Sequence, residues 1–282
     1  MPAPELNFPN FDMSLDPCVL EAQVGSRVLR CVGTNPHFND PTSPQFSMVV
    51  DQWKVFLDKL DNIESALAIS EGKIRTPAQT AEASVELDGE PCLLAYLAQS
   101  AGIRNVSFEP PSYSEAKPLL EKGHDPDAVS YYYYTRNLPQ WYRMNPQPSL
   151  GDFFSAETNW GRTRLPRHIP ELDFSYDALQ RAHKKFFGID SPFEPADPKN
   201  ATFFGRQMAP DNPQTPPQRV ARDCHVMRDQ YQADQLWNAW EGGASLFVLS
   251  HALHIRGIEP ALSAMKDVPS RKLQWNYNQS SD

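Results

Sequence analysis

Along this chain, short apolar runs alternate with longer stretches of helical periodicity. The first run, SRVLRCVG (26–33), ends in glycine and leads into TNPHFNDPTSP, a loop dense in turn residues. In FSMVVDQWKVFLDKLDNI, Met48, Trp53, Phe56, Leu57 and Leu60 recur near helical spacing. ESALAIS (64–70) predicts a second strand running into Glu71-Gly72. After Pro77 comes an Ala- and Glu-containing helical segment. A further helix, EPCLLAYLAQSAG, starts near Asp88 and stops at Gly102. IRNVSF (103–108) predicts a third strand, closed by Glu109-Pro110-Pro111. Strand and helix in alternation imply right-handed crossovers, hence an α/β fold with a mostly parallel central sheet flanked by helices.

Residues 113–218 break this rhythm with an aromatic stretch, SYYYYTRNLPQWYRM, a helix, YDALQRAHKKFFG, and a proline-dense tract. They are expected to form a largely helical, proline-rich cap inserted over the site. Beyond them RVARDCHVMRDQ predicts a helix, Gly242-Gly243 a turn, and SLFVLS a buried central strand whose polar end is HALHIRG. Residues 1–25 have little periodicity and read as an N-terminal arm. The remainder, 26–282, reads as one α/β domain carrying the 113–218 insertion.

Composition narrows the class. The 27 prolines among 282 residues fit long, stiff connections, and a net charge of −9 argues against a nucleic-acid partner. The first thirty residues show no secretion signal, and no run of eighteen apolar residues exists. A soluble, cytoplasmic protein with no membrane partner is therefore expected. Cys18, Cys31, Cys92 and Cys224 form no C-x-x-C pair, so buried thiols are expected at Cys31 and Cys92 rather than a zinc or redox cluster.

The chemistry gathers just past the apolar runs. The first strand delivers Asn35 and His37, the second Glu71, the third Glu109, and the last His251 and His254. Ligands of open α/β sheets bind outside the carboxyl ends of the strands, so a convergent site is expected there. On the RDCHVMRD helix, Arg222, His225 and Asp229 share one face at i, i+3 and i+7. Tyr132 and Trp141, with Arg162, Arg164 and Arg167, are candidates for lining a substrate pocket; the aromatics could equally pack the insertion. His124, His168 and His183 read as surface residues.

G-x-S-x-G, H-E-x-x-H and the phosphate-cradling glycine motifs are all missing. What remains is His, carboxylate and Arg, which suits hydrolysis of an ester, lactone or amide by activated water. His37 and His254 would serve as base, Glu71 as carboxylate partner and Arg222 as oxyanion donor. Glu109, His225 and His251 would meet a small-molecule or peptide substrate. His37, Glu71 and His254 could instead ligate zinc, manganese or cobalt. Each has a structural alternative: Glu71 or Glu109 as a helix cap, His225 paired with Asp229 at i+4, Arg222 in a salt bridge.

VGTNPHFNDP, AISEG, RDCHVM and LFVLSHALHIRG, in that order, resemble motifs of the superfamily that contains erythromycin esterases, ChaN-type haem-binding proteins and TraB/Tiki proteins. The likeness spans roughly 150 residues and leaves out the arm and the insertion. Pro36 lengthens the family's G-x-x-H to G-x-x-x-H. The closing histidine maps to His251 or His254, with His254 preferred because HIRGI follows it. The resemblance implies a cleft lined by His, Glu and Arg, and activities divided among ester or lactone hydrolysis, metal-dependent peptide hydrolysis and haem binding. Haem or ligand binding without turnover, and elimination or cyclisation in a biosynthetic cleft, are the alternatives to a hydrolase.

Overall fold

The structure is a computed structural model and describes residues 16–35, 39–110, 112–136, 138–142, 146–149, 152–153, 169–188, 197–211 and 213–263. The chain divides into two compact units, Met1–Glu109 with Asp229–Asp282, and Pro110–Arg228.

The first unit is built on a five-stranded sheet, β1 (Cys18–Val24), β2 (Arg27–Thr34), β3 (Ala66–Ser70), β4 (Arg104–Ser107) and β5 (Ser245–His251). Its spatial order is β1-β2-β5-β3-β4, with β1 antiparallel and every other pair parallel. The last strand is thus the central one. SLFVLS is buried along its whole length, as a parallel strand covered on both faces must be.

One face packs against α1 (Pro44–Asp58) and α2 (Ala81–Ser100), through Val49, Trp53, Phe56, Leu93, Leu94 and Phe247. Ser43 starts α1, its Oγ accepting from Gln45 N, with Pro44 at the first helical position. Trp53 meets Phe247 edge-on at 4.9 Å, a pair worth about 0.5–1.5 kcal/mol beyond its buried area. The other face packs against α9 (Ala252–Ser263) and residues 229–241 of α8 (Pro216–Glu241), through Leu236, Trp237, Trp240, Ile255, Ile258 and Leu262. An α/β layering with a mostly parallel mixed sheet is therefore the architecture.

Two expectations change. Residues Cys18–Val24, read as the end of an arm, form edge strand β1, joined to β2 by a turn at Gly25 with φ +58°. The residues after SLFVLSH do not continue as strand; they turn at once into α9. The predicted helix start near Asp88 has a local cause, since α2 kinks at Asp88-Gly89 and Pro91 follows.

The second unit contains α3 (Ser112–Glu121), α4 (Pro126–Thr135), α5 (Leu138–Trp141), α6 (Tyr176–Phe187), α7 (Ala201–Arg206) and residues 216–228 of α8. Its core includes Tyr131, Tyr132, Leu138, Trp141, Phe204 and Cys224. Glu115, buried at 2 % exposure, accepts from Tyr133 Oη at 3.0 Å and is flanked by Arg136 at 3.4 Å and Arg228 at 3.6 Å. His183, read as a surface residue, is in fact buried, its Nδ1 2.9 Å from Tyr131 Oη. All four cysteines are buried and free. Among the described residues no helix is long and apolar enough to cross a membrane.

Candidate functional site

Glu71 follows the last residue of β3, and its backbone N–H donates to Leu249 O at 3.2 Å, locking it against central strand β5. Gly72, at φ +75°, then turns the chain away. The carboxylate is fixed on one side: Oε2 accepts from Ser250 Oγ at 2.8 Å and from His251 N at 3.0 Å. His251 immediately precedes α9, so Glu71 also supplies negative charge at that helix N-terminus. The capping alternative and the site assignment describe the same carboxylate.

His254 lies in the first turn of α9 and is 3 % exposed. Its Nδ1 is 2.5 Å from Asp229 Oδ1, and its Nε2 is 3.4 Å from Glu71 Oε1. The ring therefore stands between two carboxylates. Asp229 is fully buried on α8, where an unpartnered carboxylate is costly, and His254 Nδ1 is a partner for it. With Nδ1–H given to Asp229, a proton on either Nε2 or Oε1 serves the Glu71–His254 contact. Imidazolium can face carboxylate, or carboxylic acid can face imidazole. The two states differ only in where one shared proton sits, and the heavy atoms need not move.

Around this centre, His251 stacks edge-on to His254 with ring centroids 6.2 Å apart. Glu109 Oε2 accepts from Gln232 Nε2 at 3.4 Å, and Glu109 N donates to Ser107 Oγ at 3.2 Å. Ile69, Phe108, Leu236 and Val248 give a cleft beside Glu71 its apolar walls. The side chain of Glu71 is 28 % exposed against 3 % for His254, so Glu71 is the member of the pair that reaches outward.

Of the predicted set, Glu71 and His254 meet directly, and His251 and Glu109 lie in the same unit. His37, the third predicted ligand and second predicted base, lies outside the described residues, as do Arg162, Arg164, Arg167 and His168. Arg222 and His225 lie on α8 within the second unit and are half-buried. Tyr132 and Trp141 are buried in the core of that unit; Trp141 Nε1 donates to Pro148 O at 3.0 Å. His124 Nε2 is 2.8 Å from Asp223 Oδ2. The sequence reading missed Asp229 as the partner of His254, together with Ser250 and Gln232. Asp229 stood out by helical spacing, but its partner is 25 residues away along the chain.

Metal ligation has a partial geometric basis. Two ligand atoms on a zinc-sized ion, with bonds of about 2.0–2.1 Å at a tetrahedral angle, stand about 3.4 Å apart. Glu71 Oε1 and His254 Nε2 have that separation, and Asp229 on Nδ1 is the outer partner that metal-bound histidines usually have. Among the described residues no group of three or more His, Cys, Asp or Glu is arranged to hold a metal ion.

Comparison with protein-family models, with curated proteins and with solved structures finds no match to this chain.

Proposed function

We propose that the chain is a hydrolase for an ester, lactone or amide, with Glu71 and His254 as its acid–base centre and Asp229 as the residue that orients it. The observation that carries this reading is the Asp229–His254–Glu71 chain at the carboxyl ends of β3 and β5, with its outer carboxylate beside an apolar cleft. The resemblance of VGTNPHFNDP, AISEG, RDCHVM and LFVLSHALHIRG to the erythromycin esterase, ChaN and TraB/Tiki superfamily supports the same reading.

Glu71 Oε1 accepts a proton from water as the water attacks the acyl carbon, and returns it to the departing oxygen or nitrogen. Glu71 Oε2 stays clamped by Ser250 and His251, so the basic oxygen keeps its aim. His254, held through Nδ1, steadies the charge on Oε1 from behind. General-base help of this kind is typically worth about 10²–10⁴-fold. The roles expected from sequence are thereby redistributed: Glu71 faces the substrate and His254 supports it.

A divalent metal on Glu71 Oε1 and His254 Nε2 is the second reading, favoured by their 3.4 Å separation. Such an ion would lower the pKa of a bound water and supply hydroxide near neutral pH. Elemental analysis before and after chelation separates the readings. Stoichiometric metal lost in His254→Ala supports the second, and metal-free protein that turns over supports the first.

The test of the common claim is a panel of p-nitrophenyl esters, lactones and aryl amides. Wild type should turn over at least one class, and His254→Ala should lose that activity while remaining folded by circular dichroism. Equal turnover per folded molecule in His254→Ala would overturn the assignment.

A further inference from the structure

The partly open cleft beside Glu71 leaves a free volume of about 10 Å³, at the lower edge of the roughly 10–15 Å³ that admits one water molecule. Its position follows from the strand register. Ile69 of β3 pairs with Val248 of β5, and alternation along each strand brings Glu71 and Ser250 to that same face. Phe108, just past β4, and Leu236 of α8 close the apolar walls. Against these stand the Glu71 carboxylate, the Ser250 hydroxyl and the Gln232 amide, with Ser70 also in the wall. Ser250 and Gln232 are only 4 % and 7 % exposed. A buried water needs two to four polar partners, and these three side chains supply that number. Ser250 Oγ donates its hydrogen to Glu71 Oε2, so its lone pairs face any further donor. Gln232 carries two N–H groups and a carbonyl, of which one N–H is directed to Glu109.

We propose that this cavity is a binding site for a single water molecule, held by Gln232 and Ser250 against the Glu71 carboxylate, and that this water is the nucleophile. The second half rests on the hydrolytic reading above; the first does not. In the step, the water oxygen bonds to the acyl carbon and one of its protons passes to Glu71 Oε1. The bond from acyl carbon to the leaving oxygen then breaks, and that oxygen takes the proton from Glu71. Acid and alcohol leave, and Glu71 returns to carboxylate. Gln232 is thus a positioning residue. The substrate carbonyl has to approach from the exposed side of Glu71.

High-resolution crystal structures of the wild type and of Gln232→Leu, together with kcat and KM on the best substrate of the panel, test both halves. Expected are ordered water density within hydrogen-bond reach of Glu71 and Gln232 in the wild type and its loss in Gln232→Leu. In that variant kcat should fall about tenfold or more, the size of one lost positioning hydrogen bond, with KM unmoved. A dry cavity in a well-ordered wild-type crystal overturns the site, whatever the activity. Water present with Gln232→Leu turning over normally overturns the nucleophile assignment alone. Water present with no turnover on any substrate keeps the site and sinks the hydrolytic reading.

Discussion

At the scale of single residues, Asp229 and His254 form a closely held buried pair in the first unit. Both are buried, with His254 Nδ1 2.5 Å from Asp229 Oδ1. Asp229→Ala should cost about 3–5 kcal/mol of stability, because it removes the carboxylate that the buried His254 Nδ1 faces, while Glu71 still meets Nε2. Urea unfolding checks this; a loss under 1 kcal/mol would mean that water reaches the pair. Cys224 gives a second residue-level prediction. Burial first, and then the charge of Glu115, push its thiol up to about 12. Native protein at neutral pH should therefore leave Cys224 unlabelled by iodoacetamide, with reaction appearing only on unfolding. At this scale the sequence was half legible. Glu71 and His254 announced themselves by following buried strands, but Asp229 did not. Helical spacing shows which residues share a face, not which distant ring that face meets.

At the scale of elements, strand β2 and helix α9 approach so closely that one residue position decides the contact. A Cβ added at Gly33 would stand 2.5 Å from Cys18 Sγ and 2.8 Å from the backbone Cα of Ala252. Gly33→Ala should destabilise by about 1–3 kcal/mol, as overpacking does, and displace the start of α9 with the His254 it carries. Thermal unfolding and activity should fall together; an unchanged melting temperature would show that the layers can part freely. The four runs read as parallel strands all became strands; β3 and β5 are mostly apolar runs, whereas β2 is interrupted by Arg30 and β4 is RNVS, where the neighbouring strand–helix alternation was the better signal. Strand β1 was missed because CVLEAQV follows neither a clean alternation nor an unbroken apolar run. Gly25-Ser26 between two apolar stretches was the available hairpin signal. HALHIRG was misread for a different reason. Ala252, Ile255, Ile258 and Leu262 recur at helical spacing, a signal that the histidines directly after the strand obscured, and the helix begins where the Glu71 carboxylate meets the His251 N–H.

At the scale of the whole molecule, the buried titratable groups set an alkaline limit. Burial raises the thiols of Cys31 and Cys224 above their ordinary 9.0, and the phenols of Tyr131, Tyr132 and Tyr133 above 10.0. Well below pH 9 both the folded and the unfolded chain keep these protons, so stability is indifferent to them. Above it the unfolded chain releases protons that the folded chain retains, and stability falls as pH rises. Calorimetry should find a melting temperature several degrees lower near pH 10.5 than near pH 7. A flat profile would mean that these groups are open to solvent. The mostly parallel α/β layering was legible because every crossover leaves a strand–helix alternation in the sequence. The measurement that bears most directly on the central claim is kcat/KM of Glu71→Gln relative to wild type on the best ester, lactone or amide. Glutamine keeps the size of the side chain and an acceptor oxygen for Ser250 and His251, but cannot take a proton. A drop of about 10²–10⁴-fold, with the fold intact by circular dichroism, is the predicted result. Glu71→Gln turning over within a factor of about three of wild type would contradict the account.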